Sequence, residues 1–271
     1  PGVKVSLKEE GQILSESAFF AVGNKNDSIK FISKENKNKG ILFLNTKRSV
    51  FKYVKFKGLN NYSDEFRILP GSISFYESPV SIINSTLDTS YGGDDLLNVV
   101  RTKFEISNSE FLNSKADALD SDYSNGTINN TSFNNIGNDA IDISGTRLVI
   151  SKISISKVND KAISVGEDSY LIGNSINIKN SSLALTSKDL STLKLKNVDI
   201  DNCDVVFSVF QKKPEYGPAS ISCDNVVYKN YKEEYLVQIN NKLKINSKEI
   251  RIKVKDVESK LYGAIYGKSS K

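Results

Sequence analysis

Three short phrases in the middle of the chain set carboxylates at a fixed spacing. Asp117-Ala-Leu-Asp120, Asp139-Ala-Ile-Asp142 and Lys161-Ala-Ile-Ser164 place their alanines at 118, 140 and 162, a step of 22 residues, and a small residue between the columns is expected to leave room above the backbone. Two columns follow from that step. Asp95, Asp117, Asp139 and then Lys161 make the first, and Asn98, Asp120, Asp142 and Ser164 make the second. Asp94 and Asp122 add acid nearby. Carboxylates stacked about 5 Å apart repel one another, so they must be solvated, share protons or meet a cation. The chemistry open to them is Ca²⁺ binding by Asp95, Asp117 and Asp139, sugar binding, or catalysis by Asp117, Asp139 and Lys161. They also suit a plain solvated turn, which repeat duplication would copy. Lys161 stands beside Asp139 and Asp160, which should raise its pKa and work against a role as a base.

The elements that position these columns follow from the same period. From Ser74, steps of 22 reach Leu96, Ala118, Ala140, Ala162, Ala184 and Val206, each followed by an apolar residue. Ile106, Ile128, Ile150 and Ile172 mark a second strand, and Phe111, Phe133 and Ile155 a third. Asn108, Asn130 and Asn174 recur after the second strand, as a turn ladder of stacked amides would. Three short strands per repeat near 22 residues predict a single right-handed parallel β-helix, an all-β solenoid, over residues 1–252. Equivalent residues would lie about 4.8 Å apart along its axis. Val254, Val257 and Leu261 then fall at helical spacing, so 253–271 is expected to be a short helix or tail covering the open end of the stack. Residues 57–70 and the stretch Gln211–Pro218 break the period and read as loops. Tyr62, Arg67, Lys212, Lys213 and Tyr216 on them would reach over a groove, with tyrosine suited to stacking on sugar rings.

Composition narrows the function. The chain has 271 residues with 37 basic and 32 acidic side chains, a net charge of +5. There is no arginine-rich block or dense basic-aromatic patch, so a nucleic-acid partner is not expected. The absence of histidine removes histidine acid–base chemistry and histidine metal ligands. The two cysteines, Cys203 and Cys223, fall at different points of the repeat and are expected to be free thiols. No apolar run is long enough to span a membrane. The chain starts at Pro1 and contains no methionine, so a leader or an upstream domain is expected before it.

The repeats resemble those of right-handed parallel β-helix proteins of the pectin-lyase-like group over roughly residues 10–250. The opening 21–33 also resembles the first coils of bacterial surface proteins of this kind, some of which carry a spore-coat kinase-like domain upstream. Polygalacturonase-type hydrolases in the group carry Asn-Thr-Asp-Gly-Ile-Asp, then Gly-Asp-Asp, then Gly-His-Gly on successive coils. This chain has Lys115-Ala-Asp-Ala-Leu-Asp120, Gly137-Asn-Asp-Ala-Ile-Asp142 and Asp160-Lys-Ala-Ile-Ser-Val-Gly166 at that spacing. Asp117 and Asp139 fall on two of the three catalytic aspartates. Asn138 replaces the third, Lys161 the histidine, and the downstream Arg-Ile-Lys motif is missing. Inverting hydrolysis needs a protonated and an ionised carboxyl around the bond, so the resemblance implies loss of that mechanism. It leaves a lyase or epimerase acting on uronate polymers, with Lys161 as base and Arg101, Lys103, Lys115 and Arg147 to hold a carboxylate.

The expectation is therefore a monomeric, non-catalytic β-helix module of a larger extracellular, cell-surface or periplasmic protein. It would bind polysaccharide or act as a rigid spacer. The uronate lyase or epimerase is the alternative. Asp120, Asp142, Arg147, Lys115 and Tyr216 are the expected ligand-binding residues, and Ca²⁺ is the one cofactor suggested.

Overall fold

The computed structural model describes residues 1–251 and 254–263. The apolar residues alternate with polar ones, so each short segment buries one face and exposes the other. Winding three such segments per coil closes the buried faces around a single core. The result is a right-handed parallel β-helix of about eleven turns. Its first sheet stacks Gly71–Tyr76, Asp95–Val100, Asp117–Asp122 and Ile141–Ser144, then 161–166, 183–188 and 205–210. The second stacks Val80–Ile83, Lys103–Ser107, 125–129, 147–151, 170–174, 192–196, 220–224 and Lys242–Ile245. The third stacks Thr86–Ser90, Glu110–Ser114, 131–136, 153–158, 176–181 and 198–203.

Leu97, Leu119, Ile141, Ile163, Leu185 and Phe207 form one inward ladder of the core, and Phe111 stacks on Phe133 at 4.7 Å. Several bends between sheets turn on a single residue in the left-handed region. Asn108 and Asn130 hold one bend and Asn113 and Asn135 the next, because asparagine tolerates that conformation. Their amides also bond from coil to coil, Asn130 to Asn108 at 2.7 Å and Asn135 to Asn113 at 2.8 Å. The second of these ladders escapes the sequence pattern above.

The structure corrects the sequence reading at four places. Ser74 pairs with Asn98 and not with Leu96, because the coil from Ile73 to Leu97 is longer than 22 residues. Ile150 pairs with Gly173 and not with Ile172. An extra residue in the turn at Glu167 and Asp168, both in the left-handed region, shifts the register by one and turns Ile172 outward. Ala118, Ala140 and Ala162 are fully buried in the core, so they leave no room above the outer face.

The fourth correction concerns the C-terminal segment. Val254 bridges to Gln238 beside the last first-sheet strand, and the helix Glu258–Tyr262 then lies on the lateral face. Val257 and Leu261 pack there on Leu183, Val205, Phe210 and Leu236. The helix thus covers the side of the stack and not its open end, because Val257 and Leu261 bury their side chains on this apolar strip. The expected domain boundary at 252–253 and the tail 264–271 lie outside the described residues.

The shifted register can be tested with paired substitutions. Ile150→Ala should cost about 2–5 kcal/mol in urea denaturation, whereas Ile172→Ala should change stability by only about 0.5 kcal/mol. Equal costs would mean that both residues face the core.

Candidate functional site

The outer face of the first sheet gathers the charged side chains. The first column runs Asp95, Asp117, Asp139, Lys161, Leu183 and Val205 in register. Asp117 and Asp139 are bound to the framework. The Asp117 Oδ1 accepts from the Asp139 amide at 2.8 Å and from Asn138 Nδ2 at 2.7 Å. The Asp139 Oδ1 accepts from the Lys161 amide at 3.0 Å. Each carboxylate thus caps a backbone donor of the next coil. The turn before Asp139 needs glycine at 137, since a Cβ there would lie 1.9 Å from the Lys115 carbonyl oxygen.

Lys161 closes the acidic run. Its ammonium lies 2.7 Å from Asp160 and 3.4 Å from both oxygens of Asp139, with the Tyr262 ring 5.7 Å away. Asp117, Asp139 and Lys161 expose only 7%, 2% and 4% of their surface. These three expected residues therefore come together, but in a sealed contact. Burial opposes the charge of Lys161, yet Asp139 and Asp160 outweigh it and push its pKa up.

The second column, Asn98, Asp120, Asp142 and Ser164, lies beside the first. Asn98 donates to Asp120 at 3.3 Å. Asp120 and Asp142 are half-buried and face outward. Oxygens of Asp117, Asp139 and Asp142 lie within 4.8 Å of one another. That is about twice a Ca²⁺–oxygen bond. The Asp142 Oδ1 and the Ser164 Oγ are buried without hydrogen-bond partners. These oxygens fit a hard divalent cation in type and spacing. They are fewer than the roughly six to eight oxygens that Ca²⁺ takes, so waters or ligand hydroxyls would complete the shell. Asp95, expected with Asp117 and Asp139, stands outside this group.

Where no lysine reaches, protons neutralise the stack. Burial, with Asp94 and Asp122 beside it, raises Asp95 to about 8. Burial and Asp139 raise Asp117 to about 8, against its two hydrogen bonds. Burial, followed by Asp95, pushes Asp120 well above the usual carboxylate range. Asp139, buried but partly offset by Lys161, rises to about 6.

The remaining expected residues are dispersed. Lys115 is exposed on the turn that leads into the first sheet, and Arg147 belongs to the outer face of the second. Tyr216 sits on the excursion at 211–218, which is pinned by two backbone amides on Asp189 and by Lys213 on Glu167. Tyr62 is fully buried and bonds Asp64, and Arg67 pairs with the same carboxylate, so both hold their own loop together. Lys188 and Tyr262 are not in the sequence-based set. Lys188 follows Asp122, Ser144 and Gly166 in a third column that the period could have revealed. Burial disfavours its charge, but Asp142 keeps its pKa raised. Nothing in the sequence connects Tyr262 with the lysines beneath it.

The shifted aspartates give stability a definite pH dependence. Folded Asp95 and Asp117 keep protons up to about pH 8, whereas the unfolded chain releases them near 3.8. The folded state binds more protons across that window, so stability falls as pH rises through it. Calorimetry should give a higher Tm at about pH 5.5 than at about pH 8.5, with a flatter profile for Asp117→Asn. A Tm that climbs with pH would mean that these carboxylates are already ionised in the fold.

No protein-family model matches the chain, and no curated protein matches it. Solved structures of similar shape include a mutant of the periplasmic alginate epimerase AlgG, with a TM-score of 0.54 at 12% identity over 90% of this chain and 73% of that one. The catalytic domain of a GH87 α-1,3-glucanase in complex with nigerose is similar at a TM-score of 0.44 and 12% identity, over 90% of this chain. An alginate lyase from Paenibacillus sp. is similar at a TM-score of 0.42 and 12% identity, over 87% of this chain and 91% of that one. This chain spans 63% of the length of the glucanase domain. What the chain has in common with these proteins is the right-handed parallel β-helix.

Proposed function

We propose that this chain is a non-catalytic β-helix module that binds polysaccharide along its side, as part of a longer exported or cell-surface protein. One observation carries this reading. The residues best placed for chemistry, Asp117, Asp139 and Lys161, are engaged in holding successive coils together. A catalytic base must lose its proton near the working pH. Lys161 is held protonated between two carboxylates and beneath an aromatic ring. The lateral faces, by contrast, are long, regular and rigid. A ligand laid along them loses little to ordering of the protein. The same rigidity suits a spacer between domains. Among the described residues no helix is long and apolar enough to cross a membrane.

A lyase or epimerase acting on uronate polymers is the second reading. It is favoured by Asp117 and Asp139, neighbouring carboxyls that burial holds above the usual carboxylate range, so that a proton is available between them.

The two readings separate in one assay. The chain is incubated with uronate polymers and α-glucans in the presence of Ca²⁺, with absorbance for unsaturated products and reducing-end release followed over time. Glycan binding is measured in parallel. Binding without turnover is expected, and Lys161→Ala should lower Tm while leaving the affinity of the folded protein unchanged. Turnover that disappears in Asp139→Asn would reverse the assignment.

A further inference from the structure

The outer face of the second sheet differs from the acidic face beside it. Two adjoining hollows of about 400 and 340 Å³ share Val149 and Ile172 and form one trough across several coils. Val149 is 48% exposed and Ile172 37%, which gives the trough an aliphatic floor. Val149 points outward by the ordinary alternation of its strand, and Ile172 stands beside it on the next coil because of the one-residue register shift at 167–168.

The walls are basic. Arg48, Lys103 and Arg147 line one hollow and Lys194 and Lys196 the other, against the carboxylates of Glu105 and Asp224. Glu105 pairs with Arg48 at 3.1 Å, and Arg147 with Asp168 at 3.6 Å. Both pairs are largely exposed, and such contacts are worth little, so a ligand anion can displace them. Lys194 lies 5.3 Å over the Tyr170 ring at the edge of the floor. Lys103 and Arg147 stand on the first and third of three consecutive coils, and Lys194 two coils further on. Two coils advance about 10 Å, so positive charge recurs along the axis at that interval. The column of Val149, Ile172 and Lys194 continues through Ser222 to Lys244.

We propose that this trough binds an extended anionic polysaccharide lying along the solenoid axis. Pyranose rings would rest their C–H faces on Val149 and Ile172, while carboxylates or sulfates meet Lys103, Arg147 and Lys194. Charge complementarity selects this face, since the first sheet presents carboxyl groups and keeps Lys161 buried against Asp139 and Asp160. The floor is aliphatic, and single-stranded nucleic acid needs aromatic platforms for its bases. The inference rests on the polysaccharide reading above, and adds the face and the charge of the ligand.

The test uses the full chain with polygalacturonate, a neutral glucan and duplex DNA, measured by calorimetry at low and moderate salt. The double substitution Arg147→Ser with Lys194→Ser, and separately Val149→Asp, should each weaken polygalacturonate binding at least about tenfold, as loss of about 1.4 kcal/mol does. All three positions are exposed, and unchanged Tm values confirm intact folding. Asp122→Asn on the outer face of the first sheet should leave binding unaltered, and added salt should weaken it. Wild-type binding that survives both trough variants overturns the trough and leaves the polysaccharide reading standing. No binding to any glycan overturns both. Duplex DNA bound as tightly through the same residues overturns the assignment to polysaccharide.

Discussion

Everything in this molecule depends on one geometric rule: equivalent residues of successive coils stack at the strand spacing of about 4.8 Å. A side chain therefore meets its own counterpart above and below. For apolar residues the rule is favourable, and the ladder from Leu97 to Phe207 forms a dry core with no further device. For asparagines in the bends it is also favourable, because an amide both donates and accepts. For carboxylates it is costly, since like charges are forced together out of water.

The first column answers that cost in several ways along its length. Asp95 and Asp117 keep their protons to about pH 8. Asp117 and Asp139 accept amide protons from the coil above. Lys161 ends the acidic run, and the column then turns apolar at Leu183 and Val205, where Val257 and Leu261 cover it. One face thus changes from acidic to sealed within a few coils. The second sheet, built by the same winding, carries basic side chains around an aliphatic floor. A solenoid can differ so sharply between faces because outward residues do not constrain the core.

That separation also bears on catalysis. A repeat fold can copy aspartates into a column without making an active site, since the copies can serve the backbone. Asp117 and Asp139 keep the step of 22 residues that suggested catalysis, yet here their oxygens meet amides and an ammonium. Position in a coil and availability for chemistry are distinct properties.

Much of the fold was legible from residues alone. The alanine step from 118 to 162, the Ile106 to Ile150 ladder and the recurring Asn108 and Asn130 define the coil and its inward face. The composition of the carboxylate columns was equally legible, because stacking converts a period directly into proximity. Three things were not. The outward turn of Ile172 comes from one added residue in a loop, and a period cannot locate where such a residue is absorbed. The burial of Lys161 beneath Tyr262 joins residues far apart in sequence through a helix lying on the side of the stack. The separation of Arg147 from Asp120 and Asp142 depends on which sheet each strand enters. By itself the sequence determined the repeating unit and its chemistry, since these are local and periodic. Only the tertiary structure decided which charged groups are sealed and which meet solvent, since that depends on register and on the non-repeating C-terminal segment.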